Sequence, residues 1–399
     1  MGFRRHDAYL KGARRPSDPH RDVTGYRPVW AEIDLDAVRA NVRTLAGVAS
    51  PAALMAVVKA DGYGHGAVPV ARAALDAGAQ WLGVALVEEG AELRAAGIDA
   101  PILVLSEPPP PAAPTVVALG LTPVAYTRSG IDALAKAVAD GGALTGADPL
   151  PVHLKVDTGM HRVGCAVADA CALAESITTR DELRLEGVLT HLAVADEPDN
   201  PYTPQQLDRF DTVLDDLRRA GLAFDLVHAA NSAALLAFSD RARFDLVRCG
   251  IAVYGVPPAP GLAGRVPLRP AMAVKARVSH VKRLPAGARL SYGLRYTMPR
   301  EGTVATVPLG YADGVPRALS ATGGEVLVRG RRHPMAGTVT MDQLMVDVGD
   351  AAVEVGDEVV LLGRDRDAEI TADEWADRLG TIGYEIVCGI GRRVPRVYA

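Results

Sequence analysis

Hydrophobic and polar positions follow two different rhythms along this chain. Up to about residue 256, short β-branched apolar runs are separated by stretches with helical spacing. The runs fall at Val29–Ile33, Leu54–Val58, Trp81–Leu86, Pro101–Leu105, Thr122–Tyr126, Val152–Val156, Leu185–Leu189, Phe224–His228 and Phe244–Val247. They predict strands. Helical patterns lie between most of them, at Glu88–Ala96, Arg128–Asp140, Asp169–Thr178, Gln205–Ala220 and Ser232–Ala237. Asp34 or Asp36 is placed to cap a helix that runs to Leu45. Such alternation implies parallel strands joined by crossover helices. Counted from Leu54, the eight runs suit a closed (β/α)8 TIM-type barrel, whose site gathers where its strands end. An open doubly wound sheet is the alternative, but no GxGxxG follows any run.

A proline- and glycine-rich segment at 257–270 marks a boundary. Beyond it come short runs with glycine turns, at Ala271–Arg283, Thr303–Pro308, Glu325–Val328, Leu344–Val348 and Glu358–Leu362, with one helix at Thr371–Leu379. This predicts a smaller, mainly-β C-terminal domain. The proline run at 107–114 reads as loop. The expected division is 1–27 as a flexible extension, 28–263 as the barrel and 264–399 as the β domain. Residues 28–33 are expected to pair with the latter.

Composition narrows the function little. The 399 residues exceed one ordinary domain, and 49% hydrophobic content suffices for a large core. A net charge of -5 gives no reason to expect nucleic acid or an anionic membrane as partner. No apolar run approaches the ~18 residues of a membrane span. The N-terminal stretch lacks the apolar core of an export signal. Cys165, Cys171, Cys249 and Cys388 form no CxxC pair and no zinc spacing, so no metal is expected. They read as reduced thiols in a cytoplasmic protein.

Candidate chemistry begins at Lys59, which ends the Leu54–Val58 run. A lysine on a dry strand end is held partly neutral and can form a Schiff base with an aldehyde. Gly62, Gly64 and Gly66 are expected to leave backbone N–H groups uncovered, and Tyr63 adds a hydroxyl. A solvated lysine is the alternative. Arg162, in KVDTGMHRVG with Lys155, suits a carboxylate or an ion pair with Asp157. His191 suits acid–base work or a core position. Ser232 suits a phosphate site or a plain N-cap. Gly250 and Ile251 complete such a phosphate site, and Arg248 points at a ring or forms a rim ion pair. Tyr292, Thr340–Gln343 and Tyr384 are individually turn residues or packed tyrosines.

Taken in order, VWAEIDL, AVVKADGYGHG, KVDTGMHRVG, THLAVADE, HAANSAA, VRCGIAVYG, SYG, PLGYADG, GTVTMDQ and PRVY span Val29 to Tyr398. This set resembles the alanine racemases, fold-type III enzymes dependent on pyridoxal 5′-phosphate (PLP). The resemblance implies that Lys59 carries PLP and acts as one catalytic base, with Tyr292 as the opposing base. Tyr63, Ser232, Gly250, Ile251 and Tyr384 would hold the phosphate. Arg248 would face the pyridine nitrogen, with His191 beside the ring. Arg162 and Met341 would bind substrate, and Lys155 would support Arg162, in some relatives as a carbamate. Asp342 would lie at the mouth of the neighbouring subunit's site. Thr340 stands where many relatives have cysteine or serine. A homodimer with composite sites is implied, as is supply of D-alanine for bacterial peptidoglycan. The alternatives are a broad-specificity amino-acid racemase and a non-enzymatic PLP-binding protein.

Overall fold

The computed structural model describes residues 26–141 and 149–399. Eight parallel strands form a barrel: Ala53–Val57, Trp81–Val84, Ile102–Val104, Thr122–Ala125, Leu150–Asp157, Leu183–Leu189, Leu226–His228 and Leu246–Cys249. They pair in chain order, and the last returns to the first, with Leu246 opposite Ala53 and Cys249 opposite Ala56. One seam, beside Leu226–His228, is held by fewer bonds. There Asp245 N–H donates to Val227 O and Arg248 N–H to Ala230 O, both at 3.0 Å. The β-branched and leucine runs are buried on both faces, which is why they read as continuous apolar stretches.

Helix Leu35–Ala49 starts at Asp34, whose carboxylate accepts from Ala37 N–H at 2.7 Å. The strand before it, Val29–Ile33, lies in a sheet of the C-terminal half. It is antiparallel to Met272–Arg277 and parallel to Arg396–Tyr398. Of the expected N-terminal extension, residues 1–25 lie outside the described residues. Arg27 is anchored by two hydrogen bonds to buried Asp313, at 2.8 and 2.9 Å.

Three local expectations need correction. The run Ala271–Arg283 is two strands, Met272–Arg277 and His280–Leu284, in different sheets. The proline stretch is not all loop. A 3₁₀ turn, Pro110–Ala112, leads into helix Ala113–Ala118, and Pro114 sits in the first turn, where its missing N–H costs no helix bond. A second helix, Gly383–Gly389, follows Ala372–Leu379. Among the described residues no helix is long and apolar enough to cross a membrane.

Candidate active site

Lys59 stands at the C-terminal end of the first barrel strand, as the apolar run implies. The turn after it is left-handed. Ala60, Asp61, Gly62 and Tyr63 all have φ between 52° and 59°. Each non-glycine residue there costs on the order of 1–2 kcal/mol. Glu89 offsets that cost by accepting from Ala60 N–H at 2.6 Å, Ala85 N–H at 2.8 Å and Leu86 N–H at 3.1 Å. Hydrogen bonds to a charged group contribute about 1.5–3 kcal/mol each. Asp61 closes the turn by accepting from Ala67 N–H at 2.9 Å. The expectation of free glycine N–H groups fails. Gly62, Gly64 and Gly66 donate to Val58, Ala60 and Asp61 carbonyls. The glycines are required by close approach instead. A Cβ on Gly66 would lie 2.0 Å from the Tyr398 hydroxyl, and one on Gly64 2.6 Å from Val387 O. Arg396 donates to Gly64 O at 2.9 Å, so the C-terminal tail grips the lysine turn.

A cavity of about 690 Å³ opens over Lys59. Lys59, Tyr63, Lys155, Arg162, His191, Ser232, Arg248, Gly250, Ile251 and Tyr384 all line it. Burial lowers the Lys59 pKa below its ordinary 10.5, and nearby Arg162 lowers it further, against Glu89 and Cys388. Across the cavity the cap of helix Ser232–Ala237 is Asn231, which accepts from Ala234 N–H at 2.9 Å. Ser232 is therefore not the cap. Its Oγ accepts from Gly250 N–H at 3.0 Å and joins two rim segments. A Cβ on Gly250 would lie 2.4 Å from the Tyr63 hydroxyl. The Tyr63 and Tyr384 ring centroids are 6.3 Å apart. Burial raises both phenol pKa values, so both remain O–H donors at neutral pH. These groups make a concave set of donors that suits a phosphate.

Lys59, Lys155, Arg162 and Arg248 make the cavity cationic, with Glu385 the acidic residue of its wall. Lys155 donates to Leu105 O at 3.0 Å. Burial, then Arg248, lowers its pKa to about 8. Arg248 is not a rim ion pair. It is buried, and it contacts His191 Nδ1 at 3.1 Å and His228 Nδ1 at 3.0 Å. Asp157 serves its own loop, accepting from Gly159 and His161 N–H groups, which leaves Arg162 to the cavity.

Tyr292, Met341 and Asp342 do not line this cavity. Tyr292 is 73% exposed and Met341 52%. They sit on adjoining loops, because Ser291 donates to Thr338 O at 2.6 Å and Thr338 donates to Tyr292 O at 2.9 Å. Asp342 accepts from Arg393 at 2.7 Å. Tyr384 lies on helix Gly383–Gly389 rather than in a turn, and Cys388 on the same helix also reaches the cavity. Sequence reasoning missed Glu89, His153 and Cys388. His153 had a signal, since it stands two residues before Lys155 and so on the same strand face.

An amine at the mouth of a parallel barrel, opposite a concave set of donors, is the arrangement of a barrel enzyme suited to a carbonyl ligand that bears an anionic group. Comparison with known proteins specifies it further. Residues 33–258 match the family model "Alanine racemase, N-terminal domain", and residues 271–398 match "Alanine racemase, C-terminal domain". An alanine racemase of Symbiobacterium thermophilum is 53% identical over 378 residues, 94% of this chain and 98% of the relative. The crystal structure of alanine racemase from D-cycloserine-producing Streptomyces lavendulae superposes with a TM-score of 0.88. It is 43% identical, and the match covers 94% of this chain and 98% of that one. The Bartonella henselae alanine racemase, solved with covalently bound pyridoxal phosphate, superposes with a TM-score of 0.82. It is 32% identical, over 93% and 99% of the two chains. The chain belongs to the alanine racemase family of isomerases.

Proposed function

We propose that this enzyme interconverts L- and D-alanine with PLP held through Lys59, by two bases on opposite faces of the substrate. The observation that carries the reading is the convergence on a single cavity of Lys59, a partly buried amine with a lowered pKa and no hydrogen-bond partner among the described residues, an anion cradle and Arg248. The residues fit PLP. The Lys59 amine has no hydrogen-bond partner among the described residues, and the Gly250 notch keeps the cradle open for a phosphate. The Bartonella henselae relative carries that group covalently.

PLP joined to an amino acid withdraws electrons from Cα and makes its proton acidic. The chain's own residues would then divide the work. Tyr63, Ser232, Gly250, Ile251 and Tyr384 hold the phosphate. Arg162 and Met341 of the partner subunit hold the substrate carboxylate, and Lys155 supports Arg162. Arg248 faces the ring nitrogen and, always charged, disfavours a proton there. Lys59 takes or returns the Cα proton on one face and Tyr292 of the partner subunit on the other. Asp342 of the partner subunit borders the entry. Support for the homodimer is the exposure of Tyr292, Leu294, Tyr311 and Met341 on hydrogen-bonded neighbouring loops, away from the cavity of their own chain. A C2 arrangement completes two sites at once. The product would supply bacterial peptidoglycan from the cytoplasm.

The test is PLP-loaded protein with L-alanine, followed by chiral chromatography. D-alanine is the expected product. Inversion of larger amino acids at equal rates would instead indicate broad specificity. PLP binding with no turnover of any amino acid would indicate a binding protein.

Two further outcomes follow from the geometry. Capture of PLP by cofactor-free enzyme needs the neutral amine, so its rate should rise with pH to a midpoint below 10.5. Arg162→Ala removes a charge that lowers the Lys59 pKa, so the midpoint should move up. A stopped-flow pH series with no such movement would detach Arg162 from Lys59. Gly250→Ala places a methyl against the Tyr63 hydroxyl, at an overpacking cost of about 1–3 kcal/mol. PLP affinity should fall roughly 10- to 100-fold as the Tyr63 hydroxyl is displaced, and the thermal midpoint of the cofactor-free protein should fall too, because the clash exists without PLP. Titration by absorbance measures it, and unchanged affinity would place the phosphate elsewhere.

A further inference from the structure

Every hydrogen bond that Arg248 makes among the described residues runs through its two terminal nitrogens. Nη2 faces three acceptors with two hydrogens, one of them shared: Thr190 O and Ala229 O, both at 2.9 Å, and His191 Nδ1 at 3.1 Å. Nη1 donates to His228 Nδ1 at 3.0 Å. A guanidinium has no lone pair to offer, so each imidazole must present an unprotonated Nδ1. His228 then carries its proton on Nε2, which lies 2.8 Å from His153 Nδ1. His153 accepts there and carries its own proton on Nε2, 3.1 Å from Glu186 Oε2. A carboxylate at that end demands a donor. The two ends of the chain therefore dictate the same direction.

Barrel cores are ordinarily filled by branched aliphatic side chains. Here the lumen is shaped around an imidazole. A Cβ on Gly187 would lie 2.7 Å from the His153 ring. Trp81, three strands away in the ladder, packs on the same ring with centroids 5.6 Å apart, a contact that can only be made across the lumen. His153 and His228 are both fully buried. At the far end Arg184 donates to Glu186 at 2.8 Å and to Asp225 at 2.5 Å.

We propose that Glu186 and His153 are positioning residues for Arg248. The carboxylate sets the tautomers of His153 and His228, and so holds the guanidinium with its Nε–H left over for the cavity. The consequence for activity rests on the reading of Arg248 as the group that faces the PLP ring. With Glu186 removed, only the Arg248 end sets the tautomer, and a fraction of His228 can place its proton on Nδ1. An N–H would then confront an N–H, and the guanidinium would turn away.

The first arm of the test needs no cofactor. In cofactor-free protein labelled with 15N-histidine, the His228 Nδ1 should be unprotonated in the wild type. Glu186→Ala should add a protonated fraction. Glu186→Gln keeps an acceptor for His153 and should retain the wild-type tautomer. In the PLP-loaded enzyme, Glu186→Ala should lower kcat roughly 10- to 100-fold, the range for removal of an outer-shell partner. KM for alanine should change by less than about 3-fold, because Arg162 is untouched. Glu186→Gln should recover most of kcat. A protonated Nδ1 in the wild type overturns the proposal without any variant. So does a tautomer unchanged by Glu186→Ala, or one that changes with no effect on kcat. Failure of the wild type to bind PLP would remove the functional reading, while the cofactor-free spectra would still decide the direction of the chain.

Discussion

Lys59→Ala should abolish racemisation, with a loss of at least about 10³-fold. The comparison is wild type and variant with PLP and L-alanine in deuterated water. Wild type should yield D-alanine carrying deuterium at Cα, and the variant should yield neither inversion nor exchange. The size of the effect follows from the two roles proposed for Lys59, the anchor for PLP and one of the two bases, which would be lost together. The fold should survive. The Lys59 amine makes no hydrogen bond among the described residues, and the turn is held by Glu89, Asp61 and Arg396 instead. An unchanged thermal midpoint with lost exchange would therefore place the defect in chemistry. Exchange retained in the variant would mean that another group removes the proton, and the lysine would lose its assigned role.

How far the sequence could be read depends on the range of the forces involved. The apolar run that ends on Lys59 announces a buried strand because its pattern is local. The left-handed turn after it is not legible. Ala60, Asp61 and Tyr63 adopt φ values against their own preference, held by a carboxylate 29 residues from Ala60. Asn231 and Ser232 are both good caps by composition, and nothing local ranks them. Gly250 N–H, arriving from the next strand, draws the serine away and leaves the cap to asparagine. Helix Gly383–Gly389 begins and ends on glycine, the poorest helix former after proline. It forms because Ile386 and Val387 are buried by packing, and so the position of Tyr384 was hidden. The His153–Glu186 chain joins residues from separate strands. Periodicity assigns a face to each but cannot pair them.

The separation of Tyr292 from the cavity of its own chain leads to the second large effect. When Lys59→Ala and Tyr292→Phe protomers are co-expressed, activity should return to about one quarter of wild type, although each variant alone is nearly inactive from L-alanine. In a composite arrangement the hybrid dimer has one site with both residues intact and one with neither. Random assortment makes half of the dimers hybrid, each with one working site of two. If each chain instead closed its own site, no dimer would hold an intact pair and nothing would return. The Tyr292→Phe homodimer adds an independent check. In the proposed mechanism the phenol is a base on one face only, so proton abstraction from L-alanine should fall roughly 10²- to 10⁴-fold, and abstraction from D-alanine, which Lys59 would serve, much less. Equal loss of Cα exchange from both enantiomers would reduce Tyr292 to a packing residue. Complementation with asymmetric exchange would fix both its face and its subunit, because a packing residue can restore neither.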